Sequence, residues 1–228
     1  MVAQREVGEK TNEIPALPRL LAPLPLAGTV VTVDALHTQE ATARYRVEEK
    51  KADYLFTVKD NQPTLKQDIA DLHLESFPPQ HPTCDKGHGR LEERRIWTST
   101  ELRGYLKFPY AAQVFVIPRT SLPLTTGKCH RETVYNVTSL GPEKARPARL
   151  LALNRNHWCI ENGLHDGRDF TFDEDRCRIR KHAGARVMAS LRNLAISLLR
   201  LAGVVNIAQG LRACARHPQR PLRLLGLA

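Results

Sequence analysis

His157, Glu161, His165 and Arg168 stand at intervals of four, four and three residues. On an α-helix that spacing puts them on one face, with Trp158 and Ile160 turned elsewhere. A carboxylate such as Glu161 can hold a divalent cation through its oxygens. Flanking cations can hold the phosphate that such an ion polarises, so the combination suits phosphodiester chemistry. The same spacing also describes an amphipathic helix with an exposed ionic row.

A second carboxylate is positioned by a strand. Gly28 releases the β-branched run Thr29-Val30-Val31-Thr32-Val33, which reads as a buried strand with Asp34 at its C-terminal end. Thr38 is placed to cap a helix over Gln39 to Lys51. Asp53 to Val58 forms the next strand, and Asn61-Gln62-Pro63-Thr64 opens a helix to about Leu74. Strand, helix, strand and helix in that order predict an α/β layer with parallel strands, whose ligands gather at strand C-terminal ends. Lys59, Asp60 and Asn61 follow the second strand and are candidates for the same cleft; a plain loop is the alternative. Asp34 could equally be a turn or cap residue.

Upstream of Gly28, residues 2–7 read as the end of a strand, and Glu9 to Leu21 as a helix interrupted by Pro15 and Pro18. Composition changes between Pro78 and Pro82. Arg90 to Ser99, Gln113 to Arg119 and Glu132 to Thr138 then predict an antiparallel, β-rich stretch. Pro142 or Pro147 opens a helical remainder: the Glu161 helix, an amphipathic helix from about Ala185 to Leu201, and a short one from about Val205 to Ala215.

The chain has 34 Lys and Arg against 24 acidic residues, a net charge of +10, which favours an anionic polymer as partner. Arginines crowd the last quarter, where planar guanidinium groups suit phosphates. No base-reading motif accompanies them, so DNA binding is expected to be non-specific and steeply salt-dependent. Cys84, Cys129, Cys159, Cys177 and Cys214 show no paired spacing, which indicates neither a zinc site nor a disulfide framework. An odd, dispersed set fits a reducing compartment. With no apolar run long enough for a membrane span, the expected location is cytoplasmic.

Three ordered segments carry a resemblance across nearly the whole chain. They are Val31 to Gln39 followed by Asp53 to Gln62; Asp85-Lys86-Gly87-His88-Gly89-Arg90-Leu91-Glu92-Glu93-Arg94; and Arg155-Asn156-His157-Trp158-Cys159-Ile160-Glu161-Asn162 with Leu164-His165, Arg168-Asp169, Phe172-Asp173-Glu174-Asp175 and Arg178-Ile179-Arg180. Together they resemble the insertion-sequence transposases of the H-repeat-associated (ISAs-type) family, within the DDE superfamily.

The resemblance implies an RNase H-like fold, a mixed sheet with flanking helices, interrupted by the β-rich insertion. The implied divisions are 1–77 and 142–203 for the two parts of that domain, 78–141 for the insertion, and 204–228 for a basic tail. It implies metal-dependent phosphodiester hydrolysis and strand transfer. Three carboxylates would hold two Mg2+ or Mn2+ ions, Asp34 matching the second acid and Glu161 the third. The two are expected close together despite their separation in sequence. His88, Arg90, Arg155, His157 and Arg168 are the candidates for phosphate or DNA contact; for Gly87-His88-Gly89-Arg90 a glycine-rich hairpin is the alternative. In the signature of a wider transposase group a Tyr and an Arg precede the glutamate and a Lys follows, whereas here His157, Arg155 and Arg168 stand nearby.

The first acid belongs to an opening strand, and no aspartate occurs between Met1 and Val33. The chain is therefore expected to lack the opening strand and to be inactive as it stands, leaving a sheet edge unpaired. The competing reading is a non-enzymatic DNA-binding or regulatory remnant. The implied partners are double-stranded DNA at element ends and a second copy or a full-length transposase.

Overall fold

Gly28, at φ +73°, turns the chain into β1 (Val30–Val33). In this computed structural model the described residues are Ala3, 13–87, 89–125, 127–158, 171–179 and 183–227. They fall into two compact units, divided after His157.

In the first unit β1 pairs in parallel with β2 (Asp53–Val58), Val30 opposite Asp53. The crossover between them holds a 3-10 turn (Ala35–His37) and α2 (Glu40–Arg44), which continues as a π turn over Tyr45–Glu49. α3 (Pro63–Ala70) opens on a proline in the first turn, where the missing N–H costs nothing. Four antiparallel strands follow, β3 (His81–Gly87), β4 (Arg90–Ser99), β5 (Gln113–Pro123) and β6 (His130–Thr138). β6 pairs with β2, so one curled mixed sheet runs β1-β2-β6-β5-β4-β3. The fold is mixed α/β.

Alternation along the strands builds a core on each face. Tyr54, Phe56 and Val58 join Val114, Val116 and Val137 on one side, covered by Ala43 of α2 and by Leu65 and Ile69 of α3. Leu55, Ile96, Phe115 and Ile117 form the other, covered by Leu150 and Leu151 of α4 (Pro147–His157).

Several elements differ from the sequence reading. α1 (Glu13–Leu21) runs through Pro18 without a break. Thr38 does not cap α2: its hydroxyl donates 2.7 Å to the Thr57 carbonyl, stitching the crossover to β2 instead. β1 is half-buried rather than fully buried, because among the described residues it pairs only with β2. β3, implied only by the glycine-rich hairpin alternative, is a polar edge strand that pairs with β4 from Gly87 opposite Arg90 and has Pro82 inside it, a residue that only an edge tolerates. The expected strand at residues 2–7 lies outside the described residues, apart from Ala3.

The second unit holds α5 (Gly184–Leu201), α6 (Ile207–Arg216) and α7 (Gln219–Leu224); α6 falls where a short helix was expected from about Val205 to Ala215, and α7 is a further helix in the basic stretch 204–228. Ile196, Leu199 and Ile207 form its core, with Phe172, Val204, Leu211, Cys214 and Leu224 packed around them. Asn206 caps α6, its side chain accepting from the Gln209 N–H at 2.9 Å. No helix among the described residues is long and apolar enough to cross a membrane.

Candidate active site at the end of the first strand

Asp34 closes β1 in an extended conformation, and the 3-10 turn begins at the next residue. Its side chain therefore leaves the sheet at the strand's C-terminal end. Thr32, two residues earlier, projects from the same face as Leu55, the face that α4 covers.

α4 supplies the partner. Leu150 and Leu151 anchor the helix in the core, Asn154 follows on the buried side, and His157 follows Asn154 in the last turn. These intervals of three and four make a single stripe along the helix. At the end of that stripe, His157 Nδ1 lies 3.1 Å from Thr32 Oγ1 and Nε2 lies 3.0 Å from Asp34 Oδ1. With a neutral ring, the threonine hydroxyl donates to Nδ1 and Nε2–H donates to the carboxylate, which satisfies both contacts. The imidazole is nearly enclosed, with 12% of its side chain exposed, while the Asp34 carboxylate is 70% exposed. An oriented carboxylate thus faces solvent with acceptor capacity left for a cation.

Buried polar contacts fix α4 beneath this pair. Asn154 Nδ2 donates 3.1 Å to Asn136 Oδ1 on β6, which also accepts from Thr57 Oγ1 on β2 at 3.3 Å. The loops after β1 and β2 are tied as well: Asn61 Nδ2 donates to the Ala35 carbonyl at 2.6 Å and Gln62 Nε2 to the Thr38 carbonyl at 2.9 Å. Asp60 instead pairs with Lys66 at 2.7 Å, and that hydrogen bond holds its carboxyl below the usual range.

Two of the expected phosphate contacts have partners within the sheet unit. Arg90 Nε lies 2.7 Å from Glu92 Oε1, and Arg155 Nη1 lies 2.9 Å from Asp85 Oδ2. Glu92 also takes Arg119 at 2.8 Å and Arg94, which bridges to Asp85 at 3.3 Å. Burial works to raise the Glu92 pKa, but the hydrogen bond from Arg119 and the charges of Arg94, Arg119 and Arg90 outweigh it, and the net shift is downward. Four guanidinium groups around two carboxylates leave this sheet face with a surplus of positive charge.

Glu161, His165, Arg168 and His88 lie outside the described residues, as does Asp169. Of the downstream acids, Glu174 receives Arg192 at 3.1 Å and Asp173 lies 3.7 Å from Arg176. Among the described residues no group of three or more His, Cys, Asp or Glu is gathered as a metal ion would require. Sequence reading passed over Thr32, Thr57, Asn136 and Asn154. For two of these a signal existed: Thr32 shares a strand face with Asp34, and Asn154 shares a helix face with His157.

A carboxylate at the carboxyl end of a parallel strand, oriented from the helix on that sheet face and open to solvent, is an arrangement that can offer its oxygens to a divalent cation. The family model described as the transposase DDE domain matches residues 1–198, and the chain belongs to that family. Among its relatives, YbfL and the H repeat-associated YhhI, both of Escherichia coli (strain K12), are each 29% identical over 218 residues, covering 87% of this chain and 54% of theirs. A protein encoded in the dhlA 3' region of Xanthobacter autotrophicus is 39% identical over 107 residues, 45% of this chain and 36% of its own. The chain spans about half the length of the E. coli relatives. A solved piggyBac transposase, in a synaptic complex with hairpin DNA, aligns over 68% of this chain and 28% of its own at 14% identity and a TM-score of 0.34, too slight a likeness to carry argument.

Proposed function

We propose that this chain is the metal-binding part of a DNA transposase that hydrolyses and rejoins phosphodiester bonds at element ends on an RNase H-like scaffold. The observation that carries it is the 3.0 Å contact between His157 Nε2 and Asp34 Oδ1. It brings the helix leading toward Glu161 to the acid at the strand end. In this reading 1–77 and 142–203 are the two parts of the scaffold, and 78–141 is its β-rich insertion.

Asp34 and Glu161 would hold Mg2+ or Mn2+, hard cations that prefer carboxylate oxygens. Asp34 fits that role on the donor set alone, since its carboxylate is open to solvent and already oriented. Bound there, such ions would activate the attacking hydroxyl and stabilise the leaving oxygen. His157 holds Asp34 in place, with its other nitrogen engaged by Thr32, as second partners commonly do for metal-ligating groups. Arg90 and Arg155, with Arg94 and Arg119 beside them, offer phosphate contacts on the sheet face that carries Asp85 and Glu92, and His88 and Arg168 are assigned the same role. Double-stranded DNA is the partner, in company with a second copy or a full-length transposase.

The test does not depend on turnover. Fe2+ placed in such a site with ascorbate and peroxide cuts the backbone beside its ligands. Cleavage is expected around residues 34 and 161 together, suppressed by excess Mg2+ and abolished by Asp34→Asn. Cleavage confined to one of the two segments, or unaffected by Asp34→Asn, overturns the assignment.

A further inference from the structure

Three polar residues follow β2, and the fold gives each a different task. Asp60 is taken by Lys66 at 2.7 Å. Asn61 directs its amide to the Ala35 carbonyl at 2.6 Å, which ties the loop after β2 to the turn after Asp34. Lys59 is exposed, and among the described residues its ammonium makes no hydrogen bond or ion pair. Beyond the hydrogen bond and charge of Lys66, its charge also lowers the Asp60 pKa.

The register of the parallel pair places that ammonium. Thr32 lies opposite Leu55, so Asp34 falls opposite Thr57, with Lys59 two residues beyond. Side chains alternate across a strand. Leu55 and Thr57 belong to the face that α4 covers, Leu55 in its core and Thr57 through Asn136 and Asn154, and Lys59 shares their parity. Thr32 and Asp34 leave the same face toward His157. With strands about 4.8 Å apart and a rise of about 3.3 Å per residue, the Cα atoms of Asp34 and Lys59 are about 8 Å apart, a gap that a flexible four-carbon stem closes. Residues 35–39 after β1 hold no Lys or Arg, and in the loop after β2 Lys59 stands without another. The sheet-face arginines already hold acids, Arg90 with Glu92 and Arg155 with Asp85. Lys59 is thus the cation at these strand ends whose charge is left for a ligand, and a compact ammonium with three donors suits a single phosphate oxygen.

We infer that Lys59 is a phosphate contact of the Asp34 site, its ammonium donating to a non-bridging oxygen of the DNA phosphodiester held there. The inference rests on the reading of Asp34 as a metal ligand at a phosphodiester. In that place Lys59 offsets the charge that gathers on those oxygens when the phosphorus is attacked.

The experiment is a fluorescence-anisotropy titration of a DNA duplex with the full chain in Mg2+, repeated from about 50 to 200 mM salt. Each phosphate neutralised contributes about 0.9 to the slope of log affinity against log salt. Lys59→Gln is expected to weaken binding and to make that slope shallower by about 0.9, a deficit that shrinks as salt rises, while Lys59→Arg keeps the wild-type slope. Lys107→Gln, in the loop between β4 and β5 at the opposite end of the sheet from Asp34, leaves the slope unchanged. A slope unaffected by Lys59→Gln, or lowered as much by Lys107→Gln or Lys59→Arg, overturns the inference, as does a wild-type chain that does not bind the duplex. Iron-directed cleavage at residue 34 separates the two readings, and it is expected to persist in Lys59→Gln. With that cleavage present in the wild-type chain and the slope unmoved, Lys59 alone is misassigned; with no cleavage at residue 34, the metal reading falls and Lys59 loses its site with it.

Discussion

Asn136 joins the sheet to the helix that orients Asp34, and replacing it with leucine tests whether that junction stabilises the fold. The side chain is fully buried, accepting from Thr57 Oγ1 and Asn154 Nδ2 and donating to the Val134 carbonyl at 3.3 Å. Leucine has the same side-chain branching and no polar atoms, so Asn136→Leu leaves two buried donors without an acceptor. Each such orphan costs about 1–3 kcal/mol, and the added apolar burial returns about 1 kcal/mol, so a net loss of about 1–5 kcal/mol is expected. Asn154→Leu should cost less, about 1 kcal/mol, since Asn136 Oδ1 keeps the Thr57 hydroxyl. The double variant removes one of the orphans and should fall short of the summed single losses by about 1 kcal/mol. Urea unfolding followed by Trp97, buried in the sheet unit, in a Trp158→Phe background, reads all three. Strict additivity, or an Asn136→Leu variant within about 0.5 kcal/mol of wild type, would refute the reasoning, since independent sites add within that margin.

Two further outcomes concern charge. Glu92 has a lowered pKa in the fold, so its contribution to stability is present above the ordinary glutamate range and is lost as pH falls through the folded value. Glu92→Gln should destabilise the sheet unit by about 1–3 kcal/mol at pH 7 and flatten the acid limb of its stability curve; an unchanged acid limb counts against this. Arg46 is fully buried over the Phe56 ring, at 5.1 Å, with none of its guanidinium nitrogens hydrogen-bonded among the described residues, and burial lowers its pKa to about 10. A lowered base destabilises the fold while it is charged, and relief comes only as pH rises through about 10. Arg46→Met should therefore raise the thermal midpoint at pH 7, by the equivalent of about 1–3 kcal/mol; a fall of that size would mean that the guanidinium has a partner.

The sequence by itself determined what depends on local pattern. A β-branched run after Gly28 could only be a strand, and Asp34 had to fall at its end. The alternating segments from Arg90 and Gln113 and the 3.6-residue pattern of α5 located those elements to within a few residues. The order of three motifs was enough to place the chain with the DDE transposases. Of the candidate site, Asp34 at the strand end and His157 on the helix were legible as residues capable of the chemistry, while Glu161 lies outside the described residues.

Tertiary structure decided the partnerships. Nothing local says that β6 inserts beside β2 so that one sheet continues from the parallel pair into the antiparallel strands, because strand pairing is set by contacts distant in sequence. The same holds for β3, whose polar residues satisfy an edge and carry no apolar alternation. His157 was read as a phosphate contact on the Glu161 face. The fold instead directs its ring at Thr32 and Asp34, since α4 is held by Leu150, Leu151 and Asn154 on the sheet face from which those two side chains project. Arg90 and Arg155 were equally legible as cations, yet Glu92 and Asp85 meet them only because β3, β4 and β5 lie in register. Residue type fixes what a side chain can do, and the packing of helix on sheet fixes which group it does it to.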